Sequence, residues 1–207
     1  MRKICLFLRK YCRREPLCSG VFLYVLLSFA PGLFGGGPLW LICVVRYILP
    51  GVLAWVIALI CFDAPRPSGG FCGCVKSVLW SSPAALFCII NILVGTFSPG
   101  ENVILPVFAA VSEELLCRLM LYCALRLYFQ DQERGELSAV LVSSVLFGAA
   151  HLSNLGTAGI AVVLFQCCYT VVIGTIFANG YRRSRSVCGS ILWHVLLNLT
   201  GTLFVWL

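Results

Sequence analysis

Residues 103–128 read Val-Ile-Leu-Pro-Val-Phe-Ala-Ala-Val-Ser-Glu-Glu-Leu-Leu-Cys-Arg-Leu-Met-Leu-Tyr-Cys-Ala-Leu-Arg-Leu-Tyr. The run is long enough to cross a bilayer as one helix, which takes about 20 mainly apolar residues. Yet Glu113, Glu114 and Arg118 lie in its middle. Ionisable side chains inside hydrocarbon are expensive and must find partners or water. The stretch therefore predicts a membrane-spanning helix whose charges serve a purpose.

The composition agrees. Of 207 residues, 60% are hydrophobic and 11% charged, against roughly 45–50% and about 25% in soluble domains. With a mean hydropathy of +0.98, the chain has too little polar surface to coat a water-soluble body. Its 19 Gly, 9 Pro and few charges also exclude a disordered chain, a collagen-like fibre and a coiled coil. The expected fold class is all-α: a polytopic transmembrane helix bundle of about seven helices, within a range of six to eight. Apolar runs bounded by charges or turn residues fall at 19–34, 39–62, 78–97, 103–128, 138–152, 159–178 and 190–207. The first ends in Pro31-Gly32 and is followed by Gly35-Gly36-Gly37-Pro38, which fits a tilted helix or a re-entrant hairpin arm. No small-x-small cleavage pattern follows it, so it reads as a retained helix rather than a signal peptide. Three regions result: a basic N-terminal segment 1–18, an accessory unit of three spans over 19–102, and a four-span core over 103–207.

Charge distribution gives an orientation. Arg2, Lys3, Arg9, Lys10, Arg13 and Arg14 precede the first span, and alternation groups with them Arg66, Lys76, Arg126, Arg134, Arg182, Arg183 and Arg185. Those are 13 of the 15 basic residues; Arg46 and Arg118 lie within spans. Segments 35–38, 98–102 and 153–158 on the other side hold no Lys or Arg. Cytoplasmic loops keep an excess of basic residues, which puts the N-terminus inside. The net charge of +7 is thus a topology signal with contact to membrane lipids, not a nucleic-acid surface. The 13 cysteines lie largely within apolar runs and read as reduced, packing thiols. Cys72-Gly-Cys74 has the wrong spacing for a zinc knuckle and reads as plain loop.

The intraspan ionisable residues are Arg46, Glu113, Glu114, Arg118 and the only two histidines, His151 and His194. Glu114 and Arg118, four apart, share a helix face and can neutralise each other. Glu113 points about 100° away and has no obvious intrahelical partner, which leaves its carboxylate available for chemistry. Phe147 and His151 share a face, with Gly148, Ala149 and Ala150 between them to admit a neighbouring helix. His194 and Asn198 repeat the spacing. Any one of these pairs alone reads equally as polar glue between helices.

Together, Glu113-Glu114-Leu115-Leu116-Cys117-Arg118 as EExxxR, Phe147 to His151 as FxxxH and His194 to Asn198 as HxxxN, in that order, resemble the CPBP family. This is the family of CAAX prenyl proteases and bacteriocin-processing enzymes, also called the Abi family. The resemblance covers the fourth span to the C-terminus. It implies an intramembrane glutamate endopeptidase that needs no metal or other cofactor. Glu113 and His151 would then activate the attacking water, and His194 and Asn198 would donate hydrogen bonds to the oxyanion. Glu114, Arg118 and Phe147 would shape the site. A carboxylate with an imidazole and an imidazole with an amide are also what amide hydrolysis asks for.

Several rivals stand beside this reading. Glu114 can be a second catalyst instead of Arg118's structural partner. Cys117, one turn from Glu113, is a conceivable thiol nucleophile. One Glu and two His also suit zinc. A non-catalytic binding or immunity protein, or a small proton-coupled transporter, would use the same residues differently. The substrate expected is a hydrophobic or lipid-anchored peptide, and the location a bacterial cytoplasmic membrane in preference to an endoplasmic reticulum, with water reaching the site from the cytoplasmic side. By hydropathy His194 lies only about a turn inside its span, which sits awkwardly with a shared mid-membrane site.

Overall fold

The structure, a computed structural model of the chain, describes residues 2–30, 37–62, 64, 70–98 and 103–205. Within them the chain is a bundle of eight helices. Helix α1 (Arg2–Arg14) is strongly amphipathic and ends in Arg13 and Arg14, and α2 (Pro16–Phe29) follows after Glu15. Then come α3 (Leu39–Cys61), α4 (Gly70–Val94), α5 (104–128), α6 (Gly135–Ala150, extended by a 3-10 turn His151–Gly156), α7 (Ile160–Ser184) and α8 (Cys188–Leu203). Four of these rods, α3, α4, α6 with its 3-10 turn, and α7, are long and apolar enough to cross a membrane. Such helices, of 22 to 25 residues, reach about 33–38 Å at 1.5 Å per residue, enough for the hydrocarbon layer. The protein is an integral membrane protein.

Helix α5 falls outside that apolar group because it carries four charged residues. Its position explains how it tolerates them: Leu116 to Leu125, Arg118 included, are all buried. A helix covered all round is the central rod of a bundle, and α2, α3 and α6 pack against it. The apolar side chains left outside, such as Leu93 at 78% exposure and Ile160 at 68%, face where lipid belongs.

Two rods contain wide π-helical segments, Val44–Ile48 in α3 and Leu115–Leu121 in α5. In α3 the cause is Pro50. Its ring would collide with the carbonyl four residues back in a regular helix, and the wide turn lets Leu49 N–H reach Val44 O instead.

The structure moves several sequence boundaries. Helix α4, the third span expected from sequence, begins at Gly70 rather than 78, so Cys72-Gly-Cys74 is helical, not loop. Helix α8 begins at Cys188, and it ends at Leu203, where Phe204–Val205 pairs antiparallel with Thr96–Phe97 in a two-strand clasp. Ser98 N–H donates to Leu203 O beside it, at 2.8 Å. Helix α2 starts at Pro16, inside the segment expected to precede the spans. Arg66 and the Pro31-Gly32 and Gly35-Gly36 pairs lie outside the described residues.

Helices α4 and α8 approach closely because Gly189 meets Ser77. The Ser77 hydroxyl donates to Ser186 O at 2.7 Å and accepts from Gly189 N–H at 2.9 Å. A Cβ on Gly189 would stand 2.2 Å from the Ser77 carbonyl. Gly189→Ala is therefore expected to cost about 1–3 kcal/mol by overpacking, and to lower the melting temperature in detergent by roughly 2–10 °C. Gly156→Ala is the control, since a Cβ there meets nothing within 4 Å and its melting curve should match the parent.

Candidate active site

Gly189 matters because α8 carries His194. The indole N–H of Trp193 donates to Val78 O at 3.1 Å and fixes the rotation of α8. His194 then turns inward, and its side chain is only 8% exposed. Because α8 starts at Cys188, His194 lies six residues inside the helix rather than about a turn. This places it about 3 Å deeper than expected, and its ring reaches the side of Glu113.

Glu114 is fully buried beneath it. One of its oxygens accepts from Arg118 Nε at 3.0 Å; the other accepts from Arg118 Nη2 at 3.4 Å and lies 3.0 Å from His194 Nδ1. A carboxylate can only accept, so His194 donates through Nδ1 and presents Nε2 to the cavity. Nε2 stands 3.6 Å from Glu113 Oε2. Glu113 is 35% exposed, toward the cavity, whereas Glu114 is sealed. The two neighbouring glutamates thus have different surroundings.

His151 lies just past the α-helical part of α6, where a 3-10 turn begins. Its Nδ1 is 3.0 Å from Phe147 O. A carbonyl accepts, so Nδ1 carries the proton and Nε2 keeps its lone pair. Phe147 stands between the imidazoles: its ring is edge-on to His151 at 5.2 Å and to His194 at 5.9 Å. The Arg118 guanidinium carbon lies 5.2 Å from the same ring, within cation-π range. Phe147 can sit this deep because Gly148 lets α7 close in; a Cβ there would meet Val171 Cγ2 at 2.4 Å.

Asn198, one turn beyond His194, donates from Nδ2 to Pro106 O at 3.0 Å. Glu113, Phe147, His151, His194 and Asn198 all line one cavity of about 930 Å³. Glu114 and Arg118 lie behind its wall. Cys117 lines it too, buried near the Tyr24 hydroxyl at 3.8 Å. Among the described residues, no three His, Cys, Asp or Glu side chains are grouped to hold a metal ion.

The sequence reading left unassigned the polar residues that complete the wall. Arg46 and Tyr47 come from the π segment of α3, and Asn154 and Gln166 are joined by a 2.9 Å hydrogen bond across the turn from α6 to α7. Pro50 marks the break in α3, but nothing in a linear pattern says which side chains the widened turn delivers.

An acid, two imidazoles and an amide facing one polar cavity inside a helical bundle are the kinds of group that amide hydrolysis uses. The model of the Type II CAAX prenyl endopeptidase Rce1-like family matches residues 100–200, the segment that holds Glu113, Glu114, Arg118, Phe147, His151, His194 and Asn198 but not Arg46 and Tyr47. Over that segment the chain is similar to this family of CAAX-type membrane endopeptidases. No curated protein and no solved structure matches the chain.

Proposed function

We propose that this protein hydrolyses a peptide bond in a hydrophobic or lipid-anchored peptide, using water activated by Glu113 and His151. The observation that carries the reading is one cavity lined by Glu113, both imidazoles and Asn198. Water bound there donates one hydrogen bond to His151 Nε2 and passes a proton to Glu113 as its oxygen attacks the carbonyl carbon. Negative charge develops on the carbonyl oxygen. His194, when protonated at Nε2, and the Asn198 amide are the side chains that can donate to it. Glu113 then returns its proton to the departing amine, and the C–N bond breaks. Glu114 and Arg118 take no proton; they hold His194 in place, and Phe147 sets the distance between the imidazoles.

The alternation of basic and bare loops supports an orientation with the N-terminus and the Arg-rich loops in the cytoplasm.

The test uses the purified full chain in lipid vesicles with a panel of prenylated, acylated and unmodified hydrophobic peptides, read by mass spectrometry. Cleavage of at least one class is expected. His151→Ala should lower it about 100-fold or more, and a chelator should leave it unchanged. Cleavage that chelation abolishes would replace this mechanism with a zinc-bound water. A protein that cuts nothing, or a His151→Ala variant as active as its parent, would end the proposal.

A further inference from the structure

A second cavity, of about 510 Å³, lies between the last turn of α5, the first turn of α6 and the last turn of α7. It shares no residue with the cavity that holds Glu113 and the imidazoles. Arg126 from α5, Arg134 from the connecting loop and Arg182 from α7 line it, and Arg185 joins them through Glu136. Two carboxylates answer these four cations. Glu133 is exposed, and Glu136 is already shared between Arg185 and Arg182, the latter at 3.9 Å. The loop is tightly folded: Gln132 N–H donates to Phe129 O and Gly135 N–H to Gln132 O, both at 3.0 Å, and a Cβ on Gly135 would stand 2.0 Å from Phe129 O. The backbone that carries Arg134 is therefore set before anything binds.

Donors in and beside this cavity lack acceptors. Among the described residues, Arg126 Nε, Arg185 Nη1 and the Tyr122 hydroxyl are buried without a hydrogen-bond partner. The charges of Glu136, Arg185 and Arg126 all reach the Tyr122 phenol, so the three orphaned donors belong to one cluster. Buried donors left unmade are costly. A cation in the last turn of α5 suits the negative end of that helix, but that alone gives Arg126 Nε no acceptor. Arg134 adds to the imbalance. It occupies the N-cap of α6 without capping it, where an acceptor side chain is the rule because the helix start is itself positive.

The cavity also meets an apolar track. Leu137 lines it at 45% exposure, and Leu141 and Val145, four and eight residues on, continue that face of α6 at 58% and 55%. Tyr128, at the end of α5, packs its ring edge-on against Phe129 of the cavity wall at 4.9 Å; aromatic rings collect at the membrane–water boundary. A free phosphate ion would use the cations and none of the track, whereas a lipid uses both.

We propose that this cavity binds the phosphate of an anionic glycerophospholipid, with Arg126 and Arg134 donating to its oxygens and an acyl chain lying along Leu137, Leu141 and Val145. Guanidinium forks match phosphate geometry, and basic pockets between membrane helices hold such headgroups. The bound lipid bridges the ends of α5 and α6, the rods that carry Glu113 and His151. The site stands independently of the peptidase reading.

The test places the purified full chain in phosphatidylcholine nanodiscs doped with phosphatidic acid or with phosphatidylcholine, each carrying the same photoactivatable diazirine acyl chain. Crosslinked residues are mapped by mass spectrometry. Labelling of residues 137–145 is expected to be about tenfold higher with phosphatidic acid, the scale of charge-assisted hydrogen bonds. Arg126→Gln with Arg134→Gln should return it to the phosphatidylcholine level. Arg183→Gln should not, because Arg183 sits outside the cavity, over the Trp80 ring at 4.0 Å. Labelling of α1, whose Arg9, Lys10, Arg13 and Arg14 attract any anionic surface, is the internal reference and should stay constant. Equal labelling of 137–145 by the two lipids, labelling that survives the double change, or labelling that falls as far with Arg183→Gln overturns the inference. If the double variant melts early, Arg134→Gln alone decides: Arg134 is exposed and caps nothing, so labelling should drop about threefold or more, and no drop overturns the inference. Excess inorganic phosphate should leave the labelling intact; displacement by it would show that the cavity takes a free phosphate and not a lipid.

Discussion

Glu113→Gln is expected to lower peptide cleavage by about 1,000-fold or more, within the range a positioned general base contributes together with its polarising charge. The folded protein should tolerate the change. Glutamine keeps the shape and one carbonyl oxygen, and Glu113 is partly open to the cavity, with His194 Nε2 at 3.6 Å, too long for a hydrogen bond. The measurement is single-turnover cleavage in vesicles beside a melting curve in detergent. Activity within about tenfold of the parent would show that another group takes the proton. A collapse in melting temperature would show that Glu113 is a structural residue.

The contrast between Glu113 and Glu114 was legible only in outline from the sequence. Four-residue spacing pairs Glu114 with Arg118 and sends Glu113 elsewhere, because a helix turns about 100° per residue. The structure adds what spacing cannot give: His194, 80 positions away, donates to Glu114 and faces Glu113 with its second nitrogen. The seven rods were legible because each is an apolar run set between charges or turn residues. The start of α4 was not, since Gly70, Cys72, Gly73, Cys74 and Ser77 read as polar loop until Ser77 is seen gripping the Ser186 carbonyl and the Gly189 amide. Nor was the clasp, a pairing of two residues with two others more than 100 positions later. The depth of His194 was hidden for a related reason. Hydropathy fixes where a rod meets the membrane surface only to within a turn or so, and a six-residue depth for His194 depends on where α8 begins.

Arg118→Ala should lower the melting temperature strongly, and its rescue separates structure from chemistry. The change leaves Glu114 buried with its charge uncompensated, a loss of about 3–5 kcal/mol for a broken buried pair. Arg118 also covers the Phe147 ring, so the wall of the cavity loosens at the same time. The double change Glu114→Leu with Arg118→Met removes both charges and keeps the volume. Replacements of that kind are often neutral or stabilising, so the double variant should regain most of the melting temperature lost in the single one. It should not regain activity. With Glu114 gone, His194 Nδ1 has lost the acceptor 3.0 Å away that fixes its ring, and cleavage should stay at least about 100-fold below the parent, the scale of a lost oxyanion donor. If the double variant cleaves as well as the parent, His194 needs no anchor and the buried trio serves only the fold. If Arg118→Ala melts like the parent, the pair contributes nothing to the fold, and the charges in the middle of α5 have to be explained by chemistry alone.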